Sequence, residues 1–154
     1  MTDYTAFREH TVTLFVSWKG LQPMSDATKD LFERYHACWA DRDPDRIVEL
    51  HTPDSIFHLH SGGKPAHGRA EIRTAAAETF ALVPDLTFTM VDLRVGDDFW
   101  VVQWKLSGTS VTGGAVDVDI ADVVLVEDGA VREKHTYVDG VAMQAALSVP
   151  AETA

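Results

Sequence analysis

The chain has 154 residues, 45% of them hydrophobic, and a formal net charge of −11. That length fits one domain with a real core, no apolar run approaches the roughly 18 residues of a membrane span, and the acidic balance opposes nucleic acid and anionic membrane as partners. A single cysteine, Cys38, leaves no intrachain disulfide, and the N-terminus lacks a basic-then-apolar leader, so the chain reads as cytoplasmic.

Residues 1–24 end in Gly20 and Pro23 and contain Leu14, Phe15, Val16 and Trp18, too apolar for a free tail. They read as an extension preceding a domain over residues 25–147, with 148–154 as a tail. Ser25 or Asp26 caps a helix to about Ala40, with Leu31, Tyr35, Cys38 and Trp39 on one stripe. Asp43 and Pro44 open a second, short helix that stops near Thr52-Pro53-Asp54. SIFHLH (55–60) reads as a strand ended by Ser61-Gly62-Gly63. A third helix runs from Gly68 to the break at Pro84. The remainder is β: DLTFTMVDLRV and FWVVQWKLSG flank a hairpin at Gly96-Asp97-Asp98, and Asp128-Gly129 turns a further strand into AVREKHTYVD. VAMQAAL reads as a short closing helix. Helices first and a four-strand meander after make an α+β fold, and a bent sheet wrapped around the helices would enclose a pocket.

The strand GGAVDVDIADVVLVEDG holds the oddest residue. Val116, Val118, Ile120, Val124 and Val126 share one face, and Asp122 has the same parity. A bulge at Ala121-Asp122 would turn it to solvent; otherwise a carboxylate sits in an apolar wall, where burial favours its neutral, donating form. Tyr35, on the apolar stripe of the first helix, is either a core tyrosine or a donor. His58 and His60 share a strand face, opposite to that of Leu59. They have the same-face spacing of two metal ligands, and His51, His67 and His135 add to the count. No cysteine or acid completes a recognisable set, so no metal is expected. On the last strand His135 and Tyr137 share one face and Lys134 and Thr136 the other; which of the two lines a pocket is open. Trp39, Phe57, Phe88, Trp100 and Trp104 are either cavity wall or plain core.

The order of elements resembles the nuclear transport factor 2-like superfamily. Within it, RYHACWADRDPDRIVELHTPDSIFHLHSGGKPAHGRAEI is similar to the opening of ketosteroid isomerases and SnoaL-type polyketide cyclases, and DVDIADVVLVEDGAV to the isomerase strand that carries an aspartate. The resemblance covers roughly residues 25 to 147. It implies a cone-shaped curved β-sheet around N-terminal helices, a homodimer, and no cofactor. It puts Tyr35 and Asp122 at the isomerase's two oxyanion donors. The isomerase's base position falls on Leu59, which cannot take a proton, and the cyclase's catalytic aspartate on Thr136.

The expectation is therefore an acid/base enzyme of isomerase, cyclase or dehydratase type acting on a small apolar carbonyl ring compound. Tyr35 and Asp122 would hold the oxyanion, and His60, His58, His135 or a substrate-bound water would serve as base. Trp39, Phe57, Leu59, Phe88, Trp104 and Thr136 would line the ligand pocket. The alternative is a non-catalytic binding or dimerisation module, which Leu59 at the base position favours.

Overall fold

A computed structural model of the chain describes residues 26–148. The expected extension at 1–24 and all but the first residue of the tail lie outside the described residues. Helix α1 (Asp26–Ala40) buries Thr28, Leu31, Phe32, Tyr35, Cys38 and Trp39, the stripe that its spacing calls for. Helix α2 (Pro44–Glu49) starts as expected: the Asp43 carboxylate accepts a hydrogen bond from the Arg46 backbone N–H, and Pro44 occupies the first turn. Helix α3 (Gly68–Leu82) and the closing helix α4 (Gly140–Leu147) complete the helices of the described residues.

Strands β1 (His51–His60), β2 (Ala66–His67), β3 (Thr87–Val95), β4 (Phe99–Thr109), β5 (Ala115–Glu127) and β6 (Ala130–Val138) form one curved, unclosed sheet in the order β2-β1-β6-β5-β4-β3. The expected meander is β3 to β6, antiparallel throughout, and β1 adds to β6 in parallel, which makes the sheet mixed. The β5–β6 turn bends at Asp128 (φ 51°) and Gly129 (φ 74°), the left-handed pair that matches strand twist in a two-residue hairpin.

Strand β1 begins four residues before the expected start at Ser55 and runs through Pro53. The register between β1 and β6 shifts between His51 and Ile56, so Pro53 sits where the ladder is broken and no N–H is required of it. The two-residue β2, antiparallel to β1, carries no sequence signal of its own.

The concave face of the sheet carries Trp100, Val102, Trp104 and Leu106 from β4 and Val116, Val118, Ile120 and Val124 from β5, all buried. Helix α1 lies against it through aromatic edges: Phe32 and Tyr35 meet Trp100 with ring centroids 5.6 and 5.8 Å apart, and Trp39 meets Phe88 at 6.3 Å. The Thr28 hydroxyl donates to the Asp97 carbonyl at 2.6 Å, tying the start of α1 to the β3–β4 hairpin. The pocket opens beside this contact, with Trp39 on its wall.

Candidate functional site

The pocket has a volume of about 810 Å³. Its wall is largely apolar. Trp39, Phe57, Leu59 and Phe88 line it, joined by Leu86, Leu106, Ile120 and Val138. Helix α4 closes one side with Val141, Met143, Gln144 and Leu147, and α3 adds Thr79 and Leu82. A polar patch interrupts this wall where Asp122 from β5 meets Lys134 and Thr136 from β6.

Asp122 is 2% exposed and on the apolar face, so the strand parity holds. The irregularity in β5 falls at Leu125–Val126 and not at Asp122. Its neighbours are all donors. The Thr136 hydroxyl donates to Oδ1 at 2.6 Å, the Trp104 indole N–H donates to Oδ2 at 3.2 Å, and the Lys134 Nζ lies 3.6 Å from Oδ2. An oxygen pair so surrounded accepts hydrogen bonds, which corrects the expectation of a donor carboxyl. Trp104 stands behind Asp122 and is absent from the pocket wall.

Tyr35 is corrected as well. It is buried but does not line the pocket. Its oxygen is 2.9 Å from His51 Nε2, and His51 Nδ1 is 2.8 Å from the Ser55 hydroxyl, which donates to the Arg132 carbonyl at 3.0 Å. Because the Ser55 proton goes to that carbonyl, Ser55 must accept from the Nδ1 proton. Nε2 is then the bare nitrogen, and the Tyr35 O–H donates to it. The single phenolic proton is committed to the core. Burial, with the nearby Asp122 charge as a smaller influence, pushes the phenol far above its ordinary range. The same burial, with the Lys134 and Arg69 charges, lowers His51 to about 3, so it is a neutral link of this chain.

Lys134 is the residue that the sequence reading passed over. It is 4% exposed, and its ammonium stands 4.0 Å from the centroid of the Trp39 ring, with the Tyr35 and Phe57 rings at 5.3 and 5.5 Å. Burial lowers its pKa, and the Asp122 carboxylate partly restores it. Its place on β6 opposite His135 and Tyr137 was legible; which of the two faces turned inward was not.

The histidines divide. His60 reaches the pocket wall at the end of β1, while His58 and His135 do not. Burial and then the neighbouring His58 and His135 hold His60 below the ordinary imidazole range. The three rings share the outer face of the sheet, with His60 Nε2 3.1 Å from His135 Nδ1.

An open cone of this kind, helices on the concave face of a six-stranded sheet and a mixed apolar and polar pocket between them, is the nuclear transport factor 2-like, ketosteroid isomerase-like fold. The family model for the SnoaL-like domain matches residues 32–134, more than half of the chain, and the chain belongs to that family. No curated protein matches it. Among solved structures it is similar to a protein from Jannaschia sp. CCS1 named for its likeness to SnoaL-like polyketide cyclases (23% identity, TM-score 0.73, covering 84% of this chain and 99% of that one). It is also similar to a Catenulispora acidiphila protein of ketosteroid isomerase-like fold in complex with trimethylamine (18%, TM-score 0.71, 82% and 98%). TerC, co-crystallised with polyporic acid, is a third neighbour (20%, TM-score 0.72, 79% and 98%). Among the described residues no helix is long and apolar enough to cross a membrane.

Proposed function

We propose that this chain is an acid/base enzyme that moves a proton next to the carbonyl of a small, largely apolar ring compound, in an isomerisation, cyclisation or dehydration. The observation that carries the reading is Lys134, a buried lysine on the wall of an apolar pocket. Burial tunes lysine towards neutral pH, where its amine can both take and return a proton. Asp122 acts through it as a positioning residue: it fixes Nζ from one side, and Thr136 and Trp104 fix Asp122 in turn. When protonated, the ammonium on the pocket wall is also able to meet a developing oxyanion. The apolar wall from Trp39, Phe57 and Phe88 selects a flat or ring-shaped ligand. The polyporic acid bound by TerC is of this class. The same reading keeps His60 as a polar contact at the pocket mouth and pairs two copies of the chain in solution, which analytical ultracentrifugation would detect.

Proton transfer can be read without knowing the product. Aromatic and polycyclic β-keto compounds, incubated with the protein in heavy water, should exchange the hydrogens next to the carbonyl, followed by NMR. Lys134→Met should slow the exchange by about 100-fold or more. Asp122→Asn should keep part of the rate and move the acid limb of the pH profile, along which the ammonium loses its proton to become the base, to lower pH, because Asp122 raises the lysine pKa. Removing one partner of a buried pair costs about 3–5 kcal/mol, so the Asp122→Asn/Lys134→Met double variant serves as the folded control. Compounds that bind without exchange, equally in wild type and Lys134→Met, would instead establish the non-catalytic binding module that Leu59 on the pocket wall suggests.

A further inference from the structure

The outer face of the sheet carries a second cluster that the pocket chemistry does not use as a unit. His58 and His60 stand two apart on β1 and so project to one side. Parallel pairing places His135 directly opposite His58 and Tyr137 opposite His60. In the sequence His135 is one of several histidines that add to the 58/60 pair, 75 residues beyond His60; the sheet makes them neighbours. One ring nitrogen from each of the three lies within 4.8 Å of the other two.

The geometry points to a site for a single divalent transition-metal ion of the zinc class, held by His58, His60 and His135 with its fourth position open. Zinc–nitrogen bonds of about 2.0–2.1 Å in a tetrahedron separate the nitrogens by about 3.4 Å. His60 Nε2 and His135 Nδ1 are already 3.1 Å apart, and the third nitrogen, within 4.8 Å of both, has at most about 1.4 Å to travel. The rings are also oriented from outside. His135 Nε2 lies 3.3 Å from the Glu133 carboxylate, which takes its proton in a hydrogen bond and leaves Nδ1 bare and facing His60. His58 Nε2 is 3.3 Å from the Gly63 carbonyl, which leaves its Nδ1 bare in the same way. Carboxylate or carbonyl behind the imidazole is the usual support of a metal-bound histidine. His60 is stacked on Tyr137 with centroids 4.2 Å apart and planes 7° from parallel. In the free protein His60 and His135 share one proton, which the ion would displace. Three imidazoles and an open position form the ligand set of labile or catalytic zinc, and imidazole also suits cobalt, nickel and copper.

The test uses the full untagged chain, stripped of metal with a chelator and titrated with Co²⁺, then with Zn²⁺ in competition. One Co²⁺ per chain should bind with the intense visible bands of a tetrahedral site, and Zn²⁺ should abolish them. His60→Gln and His135→Gln should each weaken binding by more than about 100-fold and Glu133→Gln by about 10-fold. His67→Gln, exposed and outside the cluster, should change nothing. Absence of binding below millimolar metal would overturn the proposal. So would binding that survives in the His60→Gln/His135→Gln double variant, which would assign the ion to other histidines. Neither readout depends on activity, so the outcome is independent of the role given to Lys134.

Discussion

Hydrogen-bond direction decides the roles of Tyr35 and Asp122. A phenol has one proton, and the Ser55–His51 chain claims it; the Asp122 carboxylate faces two donors and an ammonium. Tyr35→Phe should therefore leave proton transfer in the pocket nearly intact. It should lower stability by about 1–3 kcal/mol, because His51 Nε2 is left buried without a donor. Chemical denaturation together with the exchange assay reads both, and a collapse of exchange at unchanged stability would return Tyr35 to the site. Strand parity was enough to place Asp122 in the apolar wall. It could not identify what faced the carboxylate, because Trp104 and Thr136 reach it across two different strand pairings. Lys134 escaped notice for a related reason: lysine is among the residues least often buried, and alternation leaves both faces of β6 equally eligible.

At the scale of elements, local chemistry was the legible part. The Asp43-Pro44 start, the Asp128-Gly129 turn and the Gly68 start of α3 each sit where a few adjacent residues dictate them. The early start of β1 and the β1–β6 pairing depend on partners distant in the chain, and the two-residue β2 is too short to carry a pattern; none of these was readable. Helix α4 belongs to both groups. Its apolar run was recognisable, but its task as one wall of the pocket depends on anchors elsewhere. The Asp139 carboxylate accepts from the Ala142 N–H at 3.1 Å, and the Asp139 N–H donates to the Asp119 carbonyl at 3.0 Å. At the other end the Ser110 hydroxyl donates to the Ala146 carbonyl at 2.9 Å and Thr112 to the Leu147 carbonyl at 3.1 Å. Asp139→Ala should cost about 1 kcal/mol through loss of the cap. Amide exchange should rise in residues 140–147 while β4 and β5 stay protected, and an apolar dye should bind the pocket more weakly. Uniform loss of protection would mean that α4 is integral to the core and not a separate wall.

For the molecule as a whole, two neutral histidines set the acid limit. His36, wedged between the Phe32 and Trp104 rings at 4.4 and 4.2 Å, is lowered by burial and by the Lys134 charge to about 2, and His51 to about 3. Both titrate near 6.5 once unfolded. Below that value the unfolded chain takes up protons that the folded chain refuses, so stability is complete above about 6.5 and declines as pH falls towards about 3. The slope is about 1.4 kcal/mol per pH unit for each histidine. Urea midpoints between neutral pH and about pH 4 should show the decline, and His36→Phe should roughly halve it; an unchanged slope in that variant would remove His36 from the account.

The parallel pairing of β1 with β6 has a consequence for how the molecule is made. Ile56 and Glu133 are register partners, so during synthesis β1 leaves the ribosome with its mate still untranslated and, among the described residues, with the short β2 on its other edge. The meander β3–β6 joins neighbours and can zip up locally, whereas the seam between β1 and β6 must close a loop of most of the domain. That seam brings Leu59 and His60 to the same chamber as Lys134 and Thr136. The chamber is thus among the last things to be assembled, and a chain stalled short of β6 would carry an open strand edge, prone to pair with a neighbouring nascent chain.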